Sequence, residues 1–276
     1  MADCNSCPSK NSCSTEQQNT CTVKNNPHNQ VKNIIGVMSG KGGVGKSTVS
    51  AMIAKELNKK GFNVGIMDAD ITGPSIPRLL NISDKKATAN ELGIIPVTTS
   101  SGIKVMSLNL LMEDEDQPVI WRGPLIAGVV EQFWTDVLWG DLDYLIIDMP
   151  PGTGDVALTV MQSIPISGLV MVSVPQDLVS MIVSKAINMA KKMGIPILGV
   201  VENMSYVKCP DCSKKIRIFE SENTLKFLED NDLELLGELP MCKDIANVSV
   251  DGNDIMEEEI QNTFEEIGGK IVKALS

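Results

Sequence analysis

Residues 40–48 read Gly40-Lys41-Gly42-Gly43-Val44-Gly45-Lys46-Ser47-Thr48. The frame from Gly40 to Ser47 fits the phosphate-binding pattern G-x-x-x-x-G-K-[ST]. Its glycines let the backbone curl so that successive N–H groups converge on phosphate oxygens. Lys46 is placed to reach the outer phosphates, and the Ser47 hydroxyl to ligate magnesium. Lys41 is surplus to that scheme and needs another role.

The flanks support the loop. Before it, Asn33–Met38 is a short apolar run of the kind expected for a buried parallel strand. After it, Val49, Met52, Ile53 and Leu57 share one helical face. Strand, glycine loop and helix in that order aim a helix N-terminus at an anion.

Working outward, the chain has 276 residues, 43% of them hydrophobic, and a formal net charge of −11. That sign argues against a general nucleic-acid binder, because phosphate backbones are gripped by clustered positive charge. No apolar run approaches the roughly 20 residues needed to span a bilayer. Residues 1–6 have neither the basic start nor the apolar middle of a secretion signal. A cytoplasmic address follows as the expectation, with the seven cysteines as free thiols or metal ligands rather than disulfides.

Residues 1–30 form a polar segment nearly free of large apolar side chains, yet it holds Cys4, Cys7, Cys13 and Cys21. Such a composition predicts a flexible tail. Its four thiols are the number that a complete cluster or zinc site takes, and spare cysteines are the alternative. His28 at its end reads as a solvated side chain.

From residue 31 to 276, strand-like segments near 33–38, 63–67, 103–108, 143–148, 168–174, 196–202 and 233–239 alternate with helical ones at 46–60, 124–138, 177–192 and 222–230. This predicts a three-layer α/β/α domain with a mostly parallel sheet. Residues 94–97 and 102–105 read as a local hairpin. The final stretch carries Ile260, Phe264, Ile267, Ile271 and Leu275 on one face, with five Glu against two Lys over 257–273. That charge favours packing on the sheet over a membrane surface.

Ligands bind at the carboxyl ends of strands in such sheets. There the sequence places Asp68-Ala69-Asp70-Ile71-Thr72-Gly73-Pro74-Ser75 and Asp148-Met149-Pro150-Pro151-Gly152-Thr153-Gly154-Asp155. Asp148 suits an acid that holds magnesium through water beside Ser47, and Asp70 one that orients an attacking water. The Gly152 N–H is a candidate sensor of a terminal phosphate. For Asp70 and Asp155, capping of the following helix is the alternative. Lys41 would suit stabilisation of transferring phosphate, across a dimer interface, as an arginine finger does.

A second constellation is Cys209-Pro210-Asp211-Cys212. Two thiolates at that spacing make half a tetrahedral site, and a two-fold dimer would supply the other half. Lys208, Lys214, Lys215 and Arg217 against Asp211 give a local excess of positive charge that favours an anionic thiolate-ligated cluster. A zinc knuckle and a redox pair remain open.

The loop with its extra lysine resembles the deviant Walker A motif of the MinD/ParA class of dimeric ATPases. Together with Asp68–Ser75, Trp121-Arg122-Gly123-Pro124, Asp148–Asp155 and Cys209–Cys212, it resembles the Mrp/ApbC family of iron–sulfur cluster carriers over residues 31–276. The resemblance implies a P-loop NTPase fold and a homodimer that binds ATP. It further implies a cysteine loop at 203–220 whose Cys209 and Cys212 bridge a 4Fe–4S cluster for delivery to apoproteins. It makes Lys41 the lysine that acts across the dimer and Asn203 an adenine contact. Cys4, Cys7 and Cys13 are similar to the N-terminal cluster motif of the eukaryotic cytosolic branch, with Cys21 as a substitute fourth ligand. The expected function is an ATP-hydrolysing cluster carrier with no nucleic-acid or membrane partner. The alternative is a MinD/ParA-like positioning ATPase with structural zinc.

Overall fold

The computed structural model describes residues 26–112, 123–178, 181–217, 222–247 and 257–276. Strand β1 (Gln30–Ser39) lies mid-sheet and runs straight into the glycine loop, from which helix α1 (Lys46–Lys59) departs. The next strand in sequence, β2 (Val64–Asp68), is not its neighbour. Strand β7 (Asp141–Asp148) lies between them, pairing parallel with both. On the other side of β1 come β8 (Gly168–Ser173) and then β9 (Ile197–Lys208), with β11 (Leu235–Pro240) parallel to β9. Beyond β2 lie β6 (Lys104–Met106) and the antiparallel β5 (Val97–Thr98). The predicted hairpin is this last pair, with Val97 opposite Val105. A separate two-stranded hairpin, β3 (Thr88–Asn90) with β4 (Gly93–Ile95), has no counterpart in the sequence reading.

Strand alternation sends side chains to two cores. Ile35 and Val37 of β1 join α1, α2 (Ile76–Leu79) and α9 (Glu258–Leu275), while Ile34 and Met38 face the opposite layer. That layer comprises α3 (Gly123–Thr135), α4 (Asp155–Ser163), α6 (Met181–Lys192) and α7 (Glu222–Asn231). The remaining short helices are α5 (Pro175–Leu178) and α8 (Lys243–Asn247). The last helix buries Ile260, Phe264, Ile267 and Ile271 against β11 and α1, as its pattern predicts. Helix α4 opens at Asp155, where the sequence allowed a helix to start, and the stretch expected as helical over 177–192 is helical at 175–178 (α5) and 181–192 (α6).

Residues 26–30 already belong to the fold. Asn29 is buried, donating its amide to the Val137 carbonyl and accepting the Gly140 N–H. His28 is exposed, as expected. Cys4, Cys7, Cys13 and Cys21 lie outside the described residues, as do Trp121 and Arg122. Among the described residues no helix is long and apolar enough to cross a membrane.

Candidate functional site

The crossover from β1 to β2 over β7 brings three strand ends together. Val37 pairs with Asp148, and Asp148 pairs with Asp68. Two carboxylates therefore stand side by side, both fully buried, at the rim where the glycine loop begins.

Asp148 meets a cation and two hydroxyls. The Lys46 ammonium lies 2.8 Å from Oδ1, Ser50 donates to Oδ1 at 2.7 Å, and Ser47 donates to Oδ2 at 2.6 Å. Burying a charge is costly unless it is paired and hydrogen-bonded, and these three groups meet that demand. Asp68 is held mainly by hydrogen-bond donors. Its Oδ2 accepts the N–H groups of Ser75 and Ile76 and the Ser107 hydroxyl, and its Oδ1 accepts the Asp70 N–H. Burial first, and then the charge of Asp148, pushes its carboxyl up to about 8. Asp68 is thus the acid at the start of α2, a role the sequence reading left open for Asp70. Its strand-ending position after an apolar run, the same signal that singled out Asp148, was available to find it.

Asp70 is half-buried and accepts the Thr72 hydroxyl at 3.1 Å. It lines one cavity of about 410 Å³ with Lys46, Ser47, Thr48, Gly42, Gly43 and Gly45. Lys46, Ser47, Thr48 and Asp70, expected to act together, are therefore brought together. Asp155 is exposed as the first residue of α4, and no side chain caps that helix. Its charge there complements the helix dipole without making a cap. The Gly152 N–H, expected to sense phosphate, donates to the Ser39 carbonyl at 2.8 Å. A phosphate oxygen must displace that acceptor to reach it.

Gly40 is buried beneath the loop start, and Lys41 is exposed. Lys41 lines a different recess of about 300 Å³, with Gly42, Gly43, Val44, Met204, Tyr206 and Met241 among its walls. Asn203 is 2% exposed, and its amide donates to the Val44 carbonyl at 2.9 Å while its oxygen accepts the Met204 N–H. One N–H and one lone pair of that amide are left for another partner.

Gly45 enters α1 in the left-handed region, with φ of +82°, and no side chain caps the helix start. The first N–H groups of α1 are consequently directed at the loop. A Cβ on Gly45 would come within 2.2 Å of Asn203 Nδ2. Gly45→Ala is expected to cost about 1–3 kcal/mol from backbone strain, plus about 1 kcal/mol if the Asn203–Val44 bond breaks. Urea denaturation measures the loss, and a wild-type midpoint would contradict the account.

Cys209 and Cys212 sit in the turn between β9 and the short antiparallel β10 (Lys215–Ile216), where Lys208 pairs with Lys215. The turn is held by Cys209 N–H to the Lys214 carbonyl and Ser213 N–H to the Cys209 carbonyl. Cys212 is exposed and Cys209 half-buried. The backbone N–H groups of Cys212 and Asp211 point at the Cys209 sulfur and hold its pKa below the ordinary thiol range. Burial does the opposite to Cys242. A thiol that ionises readily is the better metal ligand. Among the described residues, no set of three or more Cys, His, Asp or Glu could hold a metal ion. Among the described residues the hairpin offers two thiols, half of a four-ligand set.

The positive excess around the pair has another use than the sequence suggested. Lys208 bonds Glu257 and Glu259, Lys215 bonds Glu259 and lies 4.4 Å over the Tyr206 ring, and Arg217 forks onto Glu238. These cations are matched by carboxylates of α9, its preceding residue and β11, so they dock the hairpin rather than surround the sulfurs. The partners lie 21 to 51 residues away in sequence, which hid the pairing.

A central strand–glycine loop–helix unit with acids on the neighbouring strand ends defines a P-loop NTPase. The fold is shared with the cell division ATPase MinD of Pyrococcus furiosus, at a TM-score of 0.63 and 22% identity over 88% of this chain and 99% of that one. A nucleotide-binding protein of Archaeoglobus fulgidus, solved with ADP and with cobalt found in it, gives 0.71 at 41% identity, over 86% and 88% of the two chains. Within that class, the chain belongs to the family of NUBPL iron-transfer P-loop NTPases, whose model matches residues 30–276. The iron-sulfur cluster carrier protein of Clostridium perfringens is 49% identical over 265 residues, covering 91% of this chain and 93% of that one. The iron-sulfur cluster transfer protein NUBPL of Dictyostelium discoideum is 40% identical over 250 residues, covering 89% and 77%.

Proposed function

We propose that this protein is an ATP-hydrolysing carrier of a 4Fe–4S cluster, which two copies hold through Cys209 and Cys212 of each and pass to apoproteins in the cytoplasm. The observation that carries the reading is the pair of accessible thiols with no third ligand among the described residues, on a hairpin of the same strand whose Asn203 holds the nucleotide loop. Family membership and the names of the relatives support the cargo.

On this reading the ATPase domain begins at residue 26 rather than 31, because Asn26 and Asn29 are buried and β1 begins at Gln30, and it carries its cysteine loop at 203–220. Cys4, Cys7, Cys13 and Cys21 precede it as candidate ligands of a second cluster. ATP phosphates lie against Gly40–Thr48, and Lys46 exchanges Asp148 for the outer phosphates. Ser47 and Asp148 offer the hard oxygen donors that magnesium takes, Asp148 through water, and the bound ion neutralises phosphate charge. Asp70, on the same cavity, orients the water that adds to the terminal phosphorus as its bond to ADP breaks. Lys41 does not line that cavity, which suits a lysine serving the partner's phosphates. Asn203 meets the base with its spare amide groups. Among the described residues that line the cavity, Asp70 is the one carboxylate and none is a histidine, so turnover is slow.

The test is anaerobic reconstitution with iron and sulfide of the chain carrying serine at Cys4, Cys7, Cys13 and Cys21. A shared cluster gives about two iron and two sulfide per chain, a visible thiolate-to-iron band and a dimeric mass. Stoichiometric zinc with no cluster would overturn the proposal in favour of a positioning ATPase.

A further inference from the structure

Strand β9 is irregular where it passes the loop. Glu202 pairs with Glu238 and Tyr206 with Pro240, so four steps along β9 match two along β11. The bulge holds Asn203, Met204 and Ser205, and Met204 has a φ of +54°. Bulges re-aim side chains, and strained backbone persists where its surroundings fix it. Here Asn203 bonds the Val44 carbonyl, and two residues on, Ser205 meets a pair of carboxylates.

Both carboxylates of that pair converge on one hydroxyl. Glu202 is 2% exposed, and its Oε2 lies 2.5 Å from the Ser205 hydroxyl, with Glu238 Oε1 3.1 Å from the same oxygen. A hydroxyl has one hydrogen and cannot serve both. Further donors come from Arg217, five residues past Cys212. It gives Nη1 to Glu238 Oε1 at 2.6 Å, Nη2 to Oε2 at 2.8 Å, and Nη1 to the Ser205 oxygen at 3.1 Å. A planar fork matched to a carboxylate fixes direction as well as distance, which a flexible ammonium does not.

We infer that Arg217 is a positioning residue that fastens the return arm of the cysteine hairpin to the β9 bulge, and through Ser205 and Asn203 to the nucleotide loop. This rests on the proposed reading of Cys209 and Cys212 as cluster ligands, and it deepens that reading by naming how loop and hairpin communicate. The other fastenings, Lys208 and Lys215 on Glu259, run to α9 and not to the loop. Movement of Val44 as phosphate binds shifts Asn203, and the bulge carries the shift to both arms of the hairpin. Without the guanidinium, the two carboxylates repel one another and the bulge loses its fixed link to residues 213–217.

Hydrogen exchange on the full chain, with and without magnesium and AMPPNP, tests this without any cluster present. In the wild type, nucleotide slows exchange at 42–50 and at 204–217, the latter by about fivefold or more, the lower end of measured site-to-site couplings. In Arg217→Ala the loop keeps its protection and the hairpin loses its response. Glu238→Gln gives the same pattern, and Arg217→Lys, which reaches one carboxylate oxygen at a time, keeps part of the response. A wild-type hairpin that ignores nucleotide overturns the inference, as does an Arg217→Ala hairpin that still responds. Loss of both responses in Arg217→Ala and Glu238→Gln also overturns it, because the network would then serve the loop itself. None of these outcomes depends on iron, so failure of the cluster reading is seen separately in the reconstitution.

Discussion

Lys46→Ala is expected to abolish measurable ATP binding and to lower ATP turnover by at least about a hundredfold, the loss typical of removing one group that stabilises transition-state charge. It is also expected to destabilise the chain. Its ammonium is the cation on Asp148, at 2.8 Å, with side chains 6% and 0% exposed. Removing one partner of a buried ion pair costs about 3–5 kcal/mol, because the other charge stays buried without compensation. Asp68 beside it adds repulsion whenever it is ionised, and the Ser47 and Ser50 hydroxyls are the remaining donors. The double variant Lys46→Ala/Asp148→Asn separates the two effects. It regains much of the lost stability in urea, since no uncompensated charge is left, yet it recovers no nucleotide binding. A single variant with wild-type turnover would remove Lys46 from the phosphate site. A double variant no more stable than the single one would mean that the ion pair does not account for the folding cost.

The positions of these groups were legible to different depths. The loop and its flanks could be read because each signal is local: the glycine spacing, the apolar run of β1, and Val49, Met52, Ile53 and Leu57, all buried in α1. The final helix was legible for the same reason. What failed to show was everything decided by strand order. Nothing in the local sequence says that β7 lies between β1 and β2, yet that insertion sets Asp68 against Asp148. It makes Asp68 the acid that receives the N–H groups of Ser75 and Ile76, while Asp70 faces the cavity. Charge was misleading where it was counted within one segment. Lys208, Lys214, Lys215 and Arg217 against Asp211 sum to an excess on paper, yet in space Lys208, Lys215 and Arg217 are paired with carboxylates far along the same chain. Helix α4 is short and opens behind Pro150-Pro151-Gly152, turn chemistry that shows where it starts but not how far it runs.

The cysteine pair makes the opposite kind of prediction, a large functional loss with little structural cost. Cys209→Ser/Cys212→Ser is expected to retain less than about a tenth of the wild-type hairpin iron, since a serine hydroxyl does not ionise to a soft thiolate ligand at neutral pH. Transfer of cluster to an apoprotein falls with it. Stability changes by no more than about 0.5 kcal/mol, as for other surface positions. The turn is closed by the backbone bonds Cys209 to Lys214 and Ser213 to Cys209, and serine keeps both. The hairpin stays docked through Lys208, Lys215 and Arg217, none of which touches a sulfur. ATP affinity stays within about twofold, because the cysteines line neither cavity at the loop. The measurement is made with Cys4, Cys7, Cys13 and Cys21 already replaced, so that tail-bound iron cannot mask the result. Undiminished transfer by the double variant would end the carrier reading of the hairpin. A loss of ATP binding in step with the iron would mean that the thiols hold the loop together rather than a cargo.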